Sequence, residues 1–368
     1  MMNIETVVRK VYPNLTPYVC QMADYPVEEL KKILKKENVY KLSFNENPFG
    51  PSTKAIQAME QAIRATNLYP SSRGEELQEA IASREGVQRE QVLLSNGADD
   101  MINLAAQTFL EPEDEVIMPA VTFVQYEAAA HLMGAAPVKV PMSGQLETDL
   151  EGILQSVTEK TKMICLCNPN NPTGAIISDE QMGAFLKRVP KNIIVIIDEA
   201  YYEYANDPEF STAVKYISDY ENILIVRTFS KIYSLAAARI GYGIGSVALT
   251  EAIHHVRPPF NVNGIAQAGA LASFDDLEHV QASKQLNEEG KQLLYEAFEQ
   301  LGFEYIRSNG NFVYVDTKIN GDHLFQELAQ KGIIVRVLKG YGLPTSLRVS
   351  IGKEEETKAF IEALHEIL

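Results

Sequence analysis

Between residues 92 and 245 the chain alternates short apolar runs with segments whose apolar residues recur every three or four positions. The runs are Val92-Leu-Leu-Ser, Glu115-Val-Ile-Met, Val138-Lys-Val, Met163-Ile-Cys-Leu-Cys, Ile193-Ile-Val-Ile-Ile, Ile223-Leu-Ile-Val and Ile240-Gly-Tyr-Gly-Ile, and helical patterns start at Ala98, Phe123 and Asp179. Continuous apolar runs of this length suit strands buried on both faces, and their alternation with helices predicts a mostly parallel sheet between helical layers. Ligands of such sheets lie beyond the carboxyl ends of the strands. That rule singles out Asn96-Gly-Ala-Asp, Asn168-Pro-Asn-Asn-Pro-Thr-Gly, Asp198-Glu-Ala-Tyr and Ser230-Lys231, four polar clusters converging on one edge. Gly241-Tyr-Gly-Ile-Gly lacks the spacing of a nucleotide loop and belongs to a strand.

After residue 275 the pattern changes to a long helix from Leu277 to Leu301, then Asn311-Phe-Val-Tyr-Val, a helix around Leu324, Ile333-Ile-Val-Arg336, Leu347-Arg-Val-Ser-Ile and a terminal helix. This predicts a second, smaller α/β domain. Residues 1–45 hold one amphipathic stretch from Val27 and make no compact unit, so they form an arm packing with the small domain; residues 46–275 form the large domain and 276–368 the small one. A length of 368 residues already favours more than one core.

Composition narrows the partners. A formal net charge of −16 with no Lys/Arg block argues against nucleic acid and anionic membranes. The start has no signal-peptide core and no run is long enough to span a bilayer, which predicts a cytoplasmic protein. Cys165 and Cys167 have a spacing that suits neither a disulfide nor a zinc site, and the histidines form no ligand array, so no metal is expected.

The chemistry centres on Lys231, which follows an apolar strand and is flanked by Thr228, Ser230 and Arg239. Burial would lower its pKa, as Schiff-base chemistry requires. Two hydroxyls and a guanidinium near one amine suggest a phosphate held beside an aldehyde-binding lysine, the combination found in pyridoxal 5'-phosphate. A lysine exposed on a turn fits the same letters. Asp198 ends a buried strand and would keep a pyridinium protonated, or else cap a helix. Tyr201 and the amide of Asn171 could both meet the ring's phenolate oxygen, while the Asn-Pro steps equally suit a rigid surface turn. The amides of Ala98 and Asp99 open a helix and would seat a phosphate. Arg336 and Arg348 lie within apolar runs and need an anion, either a ligand or an internal carboxylate.

Taken in order, Asn45-Glu-Asn-Pro-Phe-Gly-Pro, Asn168-Pro-Asn-Asn-Pro-Thr-Gly, Asp198-Glu-Ala-Tyr, Thr228-Phe-Ser-Lys-Ile-Tyr-Ser-Leu-Ala-Ala-Ala-Arg-Ile-Gly-Tyr and Leu347-Arg-Val-Ser-Ile-Gly resemble the histidinol-phosphate aminotransferases, a class II branch of the fold type I pyridoxal-phosphate enzymes. The likeness runs from about residue 42 to the end. It implies an α/β fold whose large domain has a mostly parallel seven-stranded sheet. It also implies transamination of L-histidinol phosphate with 2-oxoglutarate, a step of histidine biosynthesis. By the same match Lys231 is the Schiff-base lysine, Asp198 pairs with the pyridinium, and Asn171 and Tyr201 meet the ring oxygen. Ala98, Asp99, Thr228, Ser230 and Arg239 hold the phosphate, and Phe123 stacks on the ring. Asn47, Arg336 and Arg348 are placed at the substrate site, Arg348 on a substrate carboxylate and Arg336 on the phosphate of histidinol phosphate. Tyr69 would reach the cofactor phosphate of a partner subunit, implying a homodimer with shared active sites. The sequence departs from the family pattern at Cys20-Gln-Met-Ala-Asp24, Ser71-Ser72 and Ala120-Val121. Alternative activities on the same scaffold are an aromatic amino-acid aminotransferase, a threonine-phosphate decarboxylase-like lyase and a non-catalytic cofactor-binding regulator.

Overall fold

The computed structural model describes residues 7–15 and 22–368. The atypical arm residues Pro17 to Gln21, with Cys20, and the first six residues lie outside the described part. Among the described residues twelve strands form two sheets. They are β1 (Tyr40–Leu42), β2 (Val92–Ser95), β3 (Glu115–Pro119), β4 (Ala136–Val140), β5 (Thr161–Cys167), β6 (Ile194–Asp198), β7 (Ile223–Thr228), β8 (Gly241–Gly245), β9 (Glu304–Tyr305), β10 (Phe312–Asp316), β11 (Ile333–Val337) and β12 (Ser346–Ser350).

The larger sheet has the order β2-β8-β7-β6-β5-β3-β4. Its pairs are parallel except that β8 runs antiparallel to both β2 and β7. Successive residues of the central strands serve opposite cores, as the pleat requires. On β6, Val195 and Ile197 join the apolar cluster that includes Leu77, Phe185 and Phe274, whereas Ile196 joins the one that includes Ile102, Tyr126 and Ile253. On β7, Ile223 and Ile225 face the first cluster, and Leu224 and Val226 the second. Each fully buried side chain of this kind contributes roughly 1.5–3 kcal/mol. Asp198 and Thr228 continue the second set by parity; Glu199 and Arg227 continue the first.

The helix Ala98–Phe109 reaches the sheet unusually closely at β8. A Cβ on Gly241 would lie 2.8 Å from the carbonyl carbon of Gly97 and 2.9 Å from Ala98 N, and one on Gly243 would lie 2.9 Å from Met101 Sδ. The glycines of the Gly-Tyr-Gly-Ile-Gly run therefore create the space in which the amino end of that helix is seated.

The second sheet has the order β1-β11-β12-β10-β9 and packs against the helices Leu277–Leu301, Gly321–Gln330 and Glu354–Ile367. β1 precedes the large sheet in sequence yet pairs in parallel with β11, and the short helical turn Met22–Asp24 lies on the same strand's side, where Ala23 packs with Ile334. Neither β1 nor the two-residue β9 stands out in the hydropathy pattern. The strands of the large sheet and the helices read from the pattern fall where it puts them, with shifts such as a helix starting at Gln125 rather than Phe123, whereas the helices Glu75–Glu85, Leu150–Gln155, Val247–His254 and Gly264–Phe274 are not read from it. Among the described residues no helix is long and apolar enough to cross a membrane.

Candidate active site

The strand-end clusters enclose a cavity of about 460 Å³ between the two sheets. Lys231, Asp198, Tyr201, Asn171, Thr228, Ser230, Arg239, Ala98, Asp99 and Phe123 line it, together with Arg336 and Arg348 from the second sheet.

The floor is a buried carboxylate. Asp198 is 2% exposed, and its Oδ1 accepts the Ala200 N–H at 3.0 Å while its Oδ2 accepts the Tyr126 hydroxyl at 2.7 Å. Burial pushes its carboxyl up to about 6 against the opposing pull of those two hydrogen bonds. Lys231 Nζ donates to the Phe44 carbonyl at 2.9 Å and lies 5.7 Å from the centroid of the Tyr201 ring. Burial, then the nearby Arg348 charge, lowers its ammonium to about 8. The turn-exposed alternative for this lysine is thereby excluded.

One end of the cavity gathers a helix amino end, two hydroxyls and a guanidinium, a donor set that suits an anion. The helix Ala98–Phe109 points its amino end there, with Asp99 next to the guanidinium of Arg239 at 3.6 Å. Arg239 itself takes a left-handed backbone, φ 57°, and bonds the Ala236 carbonyl at 3.1 Å. The Thr228 hydroxyl donates to Ser230 Oγ at 2.9 Å and accepts from the Ser230 N–H at 3.1 Å. Gly97 has φ 89°, and a Cβ there would sit 2.7 Å from Arg239 Nη2, so the loop must lack a side chain for the arginine to lie beside the helix start.

The opposite wall links the two sheets. Arg348 donates to Asn171 Oδ1 at 2.5 Å and to the Ser43 carbonyl at 2.6 Å. Asn171 Nδ2 reaches the Tyr201 hydroxyl at 3.4 Å, which also accepts Asn45 Nδ2 at 3.0 Å. Asn45 is in turn fixed by Ser350 of the small sheet and by Asn311 just before β10. Arg336 Nη1 stands 3.6 Å from Asp24 Oδ1, so the internal-carboxylate alternative weighed for this arginine is present beside its place on the cavity wall.

Two expected residues lie elsewhere. Asn47 does not line the cavity: its Nδ2 donates to the Ile232 carbonyl at 2.9 Å and Ser283 Oγ at 2.8 Å. Asn45, in left-handed conformation at φ 57°, turns the chain so that it and Glu46 meet the cavity instead. Tyr69 is 83% exposed and stacks on Phe260 at 4.8 Å, outside its own chain's cavity. Sequence reasoning missed Tyr126 and Asn45, which reach their partners across 72 and 156 residues. It also missed Arg227, 1% exposed behind the floor, which pairs with Glu199 at 2.8 Å and Glu85 at 2.6 Å.

A family model for aminotransferase class I and II matches residues 37–364. The chain belongs to that family. The histidinol-phosphate aminotransferase of Caldicellulosiruptor saccharolyticus is 39% identical over 360 residues, 98% of this chain and 99% of the relative. That of Moorella thermoacetica is 40% identical over 361 residues, 98% and 92% of the two chains. The crystal structure of Sinorhizobium meliloti histidinol-phosphate aminotransferase in complex with pyridoxal-5'-phosphate shares the fold, with a TM-score of 0.89 over 99% of both chains at 24% identity. As in other class I and II aminotransferases, the cofactor is pyridoxal 5'-phosphate, and the donor set here fits it: an anion seat at one end, a buried carboxylate at the floor and an amine between.

Proposed function

We propose that this aminotransferase moves the amino group of L-histidinol phosphate to 2-oxoglutarate, giving imidazole acetol phosphate and glutamate. The observation that carries the reading is that two arginines, Arg336 and Arg348, line the same cavity as Lys231 and Arg239, so that a donor with an anionic group can be held while its amine meets the lysine. The naming of the two bacterial relatives supports it.

In this reading Ala98, Asp99, Thr228, Ser230 and Arg239 hold the cofactor phosphate, Asp198 faces the ring nitrogen, Asn171 and Tyr201 the ring oxygen, and Phe123 one ring face. The cofactor, when bound, supplies the aldehyde that takes up the amine and the ring that accepts electrons from the substrate carbon. Lys231 Nζ, lowered to about 8, would take the proton from the substrate carbon and return it to the carbon on the other side of the transferred nitrogen. Arg348 orients the carboxylate of 2-oxoglutarate, while Arg336 meets the phosphate of histidinol phosphate, which has no carboxylate. Leu68 and Tyr69, both exposed, would form part of a homodimer contact in which Tyr69 completes the partner's site.

One observation favours a second reading. Asp24 standing against Arg336 suits a donor with no distal anion, such as an aromatic amino acid. The test is the visible absorption of the cofactor-loaded protein on separate addition of histidinol phosphate, phenylalanine and threonine phosphate. Rapid bleaching by histidinol phosphate, reversed by 2-oxoglutarate, is expected. Bleaching by phenylalanine alone would select the aromatic activity, and carbon dioxide release from threonine phosphate the lyase.

A further inference from the structure

Tyr126 belongs to none of the motifs, yet its hydroxyl meets the functional carboxylate directly. It donates to Asp198 Oδ2 at 2.7 Å, and the two residues are 1% and 2% exposed. The Ala200 N–H takes the other oxygen at 3.0 Å. We propose that Tyr126 is a positioning residue for the pyridine nitrogen of the cofactor: by bonding Oδ2 it keeps Asp198 ionised and fixes how the carboxylate faces the cavity. This rests on the aminotransferase reading above.

The need for such a partner follows from the surroundings. Asp198 is in a buried site, and the charged groups facing it from neighbouring elements include Asp99 on the helix Ala98–Phe109 and Glu199 on its own segment, both of which oppose its ionisation. From β5 it meets Cys165 and Cys167, whose thiols burial keeps protonated, and Tyr201 is likewise held neutral. None of these compensates a negative charge. A hydrogen bond to a charged acceptor in a buried site is among the stronger ones, and losing it leaves the charge with the single N–H of Ala200. Burial and the Asp198 charge raise the phenol of Tyr126 well above its ordinary range, so it remains a donor at every working pH.

Tyr126 also ties this floor to the cavity wall. It lies in the first turn of the helix Gln125–Met133, and its ring meets that of Phe123 edge-on at 5.7 Å and 82°. Phe123 lines the cavity and Tyr126 does not, so the tyrosine acts through Asp198 rather than on the substrate.

The test uses holoenzyme loaded with pyridoxal phosphate labelled with nitrogen-15 in the ring, and follows the ring-nitrogen resonance with pH in the wild type and in Tyr126→Phe. Removing the hydroxyl should let the nitrogen lose its proton roughly one to two pH units lower than in the wild type. It should also lower kcat roughly tenfold while KM for the donor changes little. An unchanged nitrogen titration overturns the proposal even if activity falls, because a merely structural tyrosine would affect stability and not ring protonation. Replacing Tyr126 with 3-fluorotyrosine keeps the shape and makes the phenol a stronger donor; the titration should then move the opposite way, and no movement overturns the proposal even where Tyr126→Phe fails to fold. Asp198→Asn separates the underlying reading. If that variant leaves the titration unaltered, Asp198 does not face the nitrogen and both readings fall, whereas a shift with Asp198→Asn but not with Tyr126→Phe removes the tyrosine's role alone.

Discussion

Gly97 holds the anion seat open by having no side chain. Its φ of 89° and the 2.7 Å gap between a hypothetical Cβ and Arg239 Nη2 mean that alanine would strain the backbone and push the guanidinium away. A backbone at φ 89° and ψ 170° is essentially reserved for glycine and costs an L-residue roughly 1–3 kcal/mol, so Gly97→Ala should weaken cofactor affinity roughly tenfold or more, measurable by equilibrium dialysis; unchanged affinity would remove the arginine from the phosphate's surroundings. Asp24 makes a second test at this scale. Its largely buried carboxylate lies 3.6 Å from Arg336, so a phosphate on the donor has to compete with it for the guanidinium. Asp24→Asn should therefore lower KM for histidinol phosphate and leave KM for phenylalanine alone. Equal effects on both donors would show that Arg336 does not read the phosphate. Lys231, Asp198 and the hydroxyls near them are legible in sequence because they sit together in short motifs at strand ends. Tyr126, Asn45 and Asp24 are not, because each becomes meaningful only through a partner far away along the chain.

At the scale of elements, β6 and β7 sort their residues by face. Asp198 and Thr228 point to the cavity side, and their immediate neighbours Glu199 and Arg227 point to the other, where they bond one another at 2.8 Å with Glu85 and Thr212 close by. The apolar runs announced the strands, but a run buried on both faces has no period to say which residues face which layer. The side opposite the cavity also holds Glu203, whose carboxyl burial pushes up to about 8 despite the attraction of Arg227. The folded protein thus keeps this proton over a range in which the unfolded chain, with an ordinary value of 4.5, has released it. Between those two values the native state binds more protons than the unfolded one, so Glu203's contribution to stability falls as pH rises through the window. Glu203→Gln should flatten that part of the stability profile, seen as urea midpoints that differ less between the acid and alkaline ends. A decline as steep as in the wild type would locate the titrating group elsewhere.

Across the whole molecule, the site exists only because two sheets meet. The hydropathy pattern predicted both sheets, yet not that β1, at the start of the chain, completes the second by pairing with β11, nor that β8 runs against its neighbours. Both facts depend on contacts between distant segments, which local patterning does not encode. The exposed Tyr69 extends this dependence to a second chain in the proposed dimer. Mixing inactive Lys231→Ala protomers with inactive Tyr69→Ala protomers should restore turnover, because the mixed dimer has one site with both residues intact. Absence of any recovery, with exchange of protomers confirmed, would mean that each chain works alone.

The glycines of β8 set how this protein can change. In most core strands the large apolar positions tolerate substitution least. On β8 the order is reversed, since Gly241 and Gly243 have backbone or sulfur within 2.9 Å of any added carbon, while Tyr242 and Ile244 fill an ordinary apolar layer. A saturation scan of this strand should show a two-residue rhythm of intolerance that peaks on its smallest letters. Drift in the family's sequences can reshape the pocket through its loops, but the distance from the sheet to the anion seat is held by atoms that no mutation is free to add.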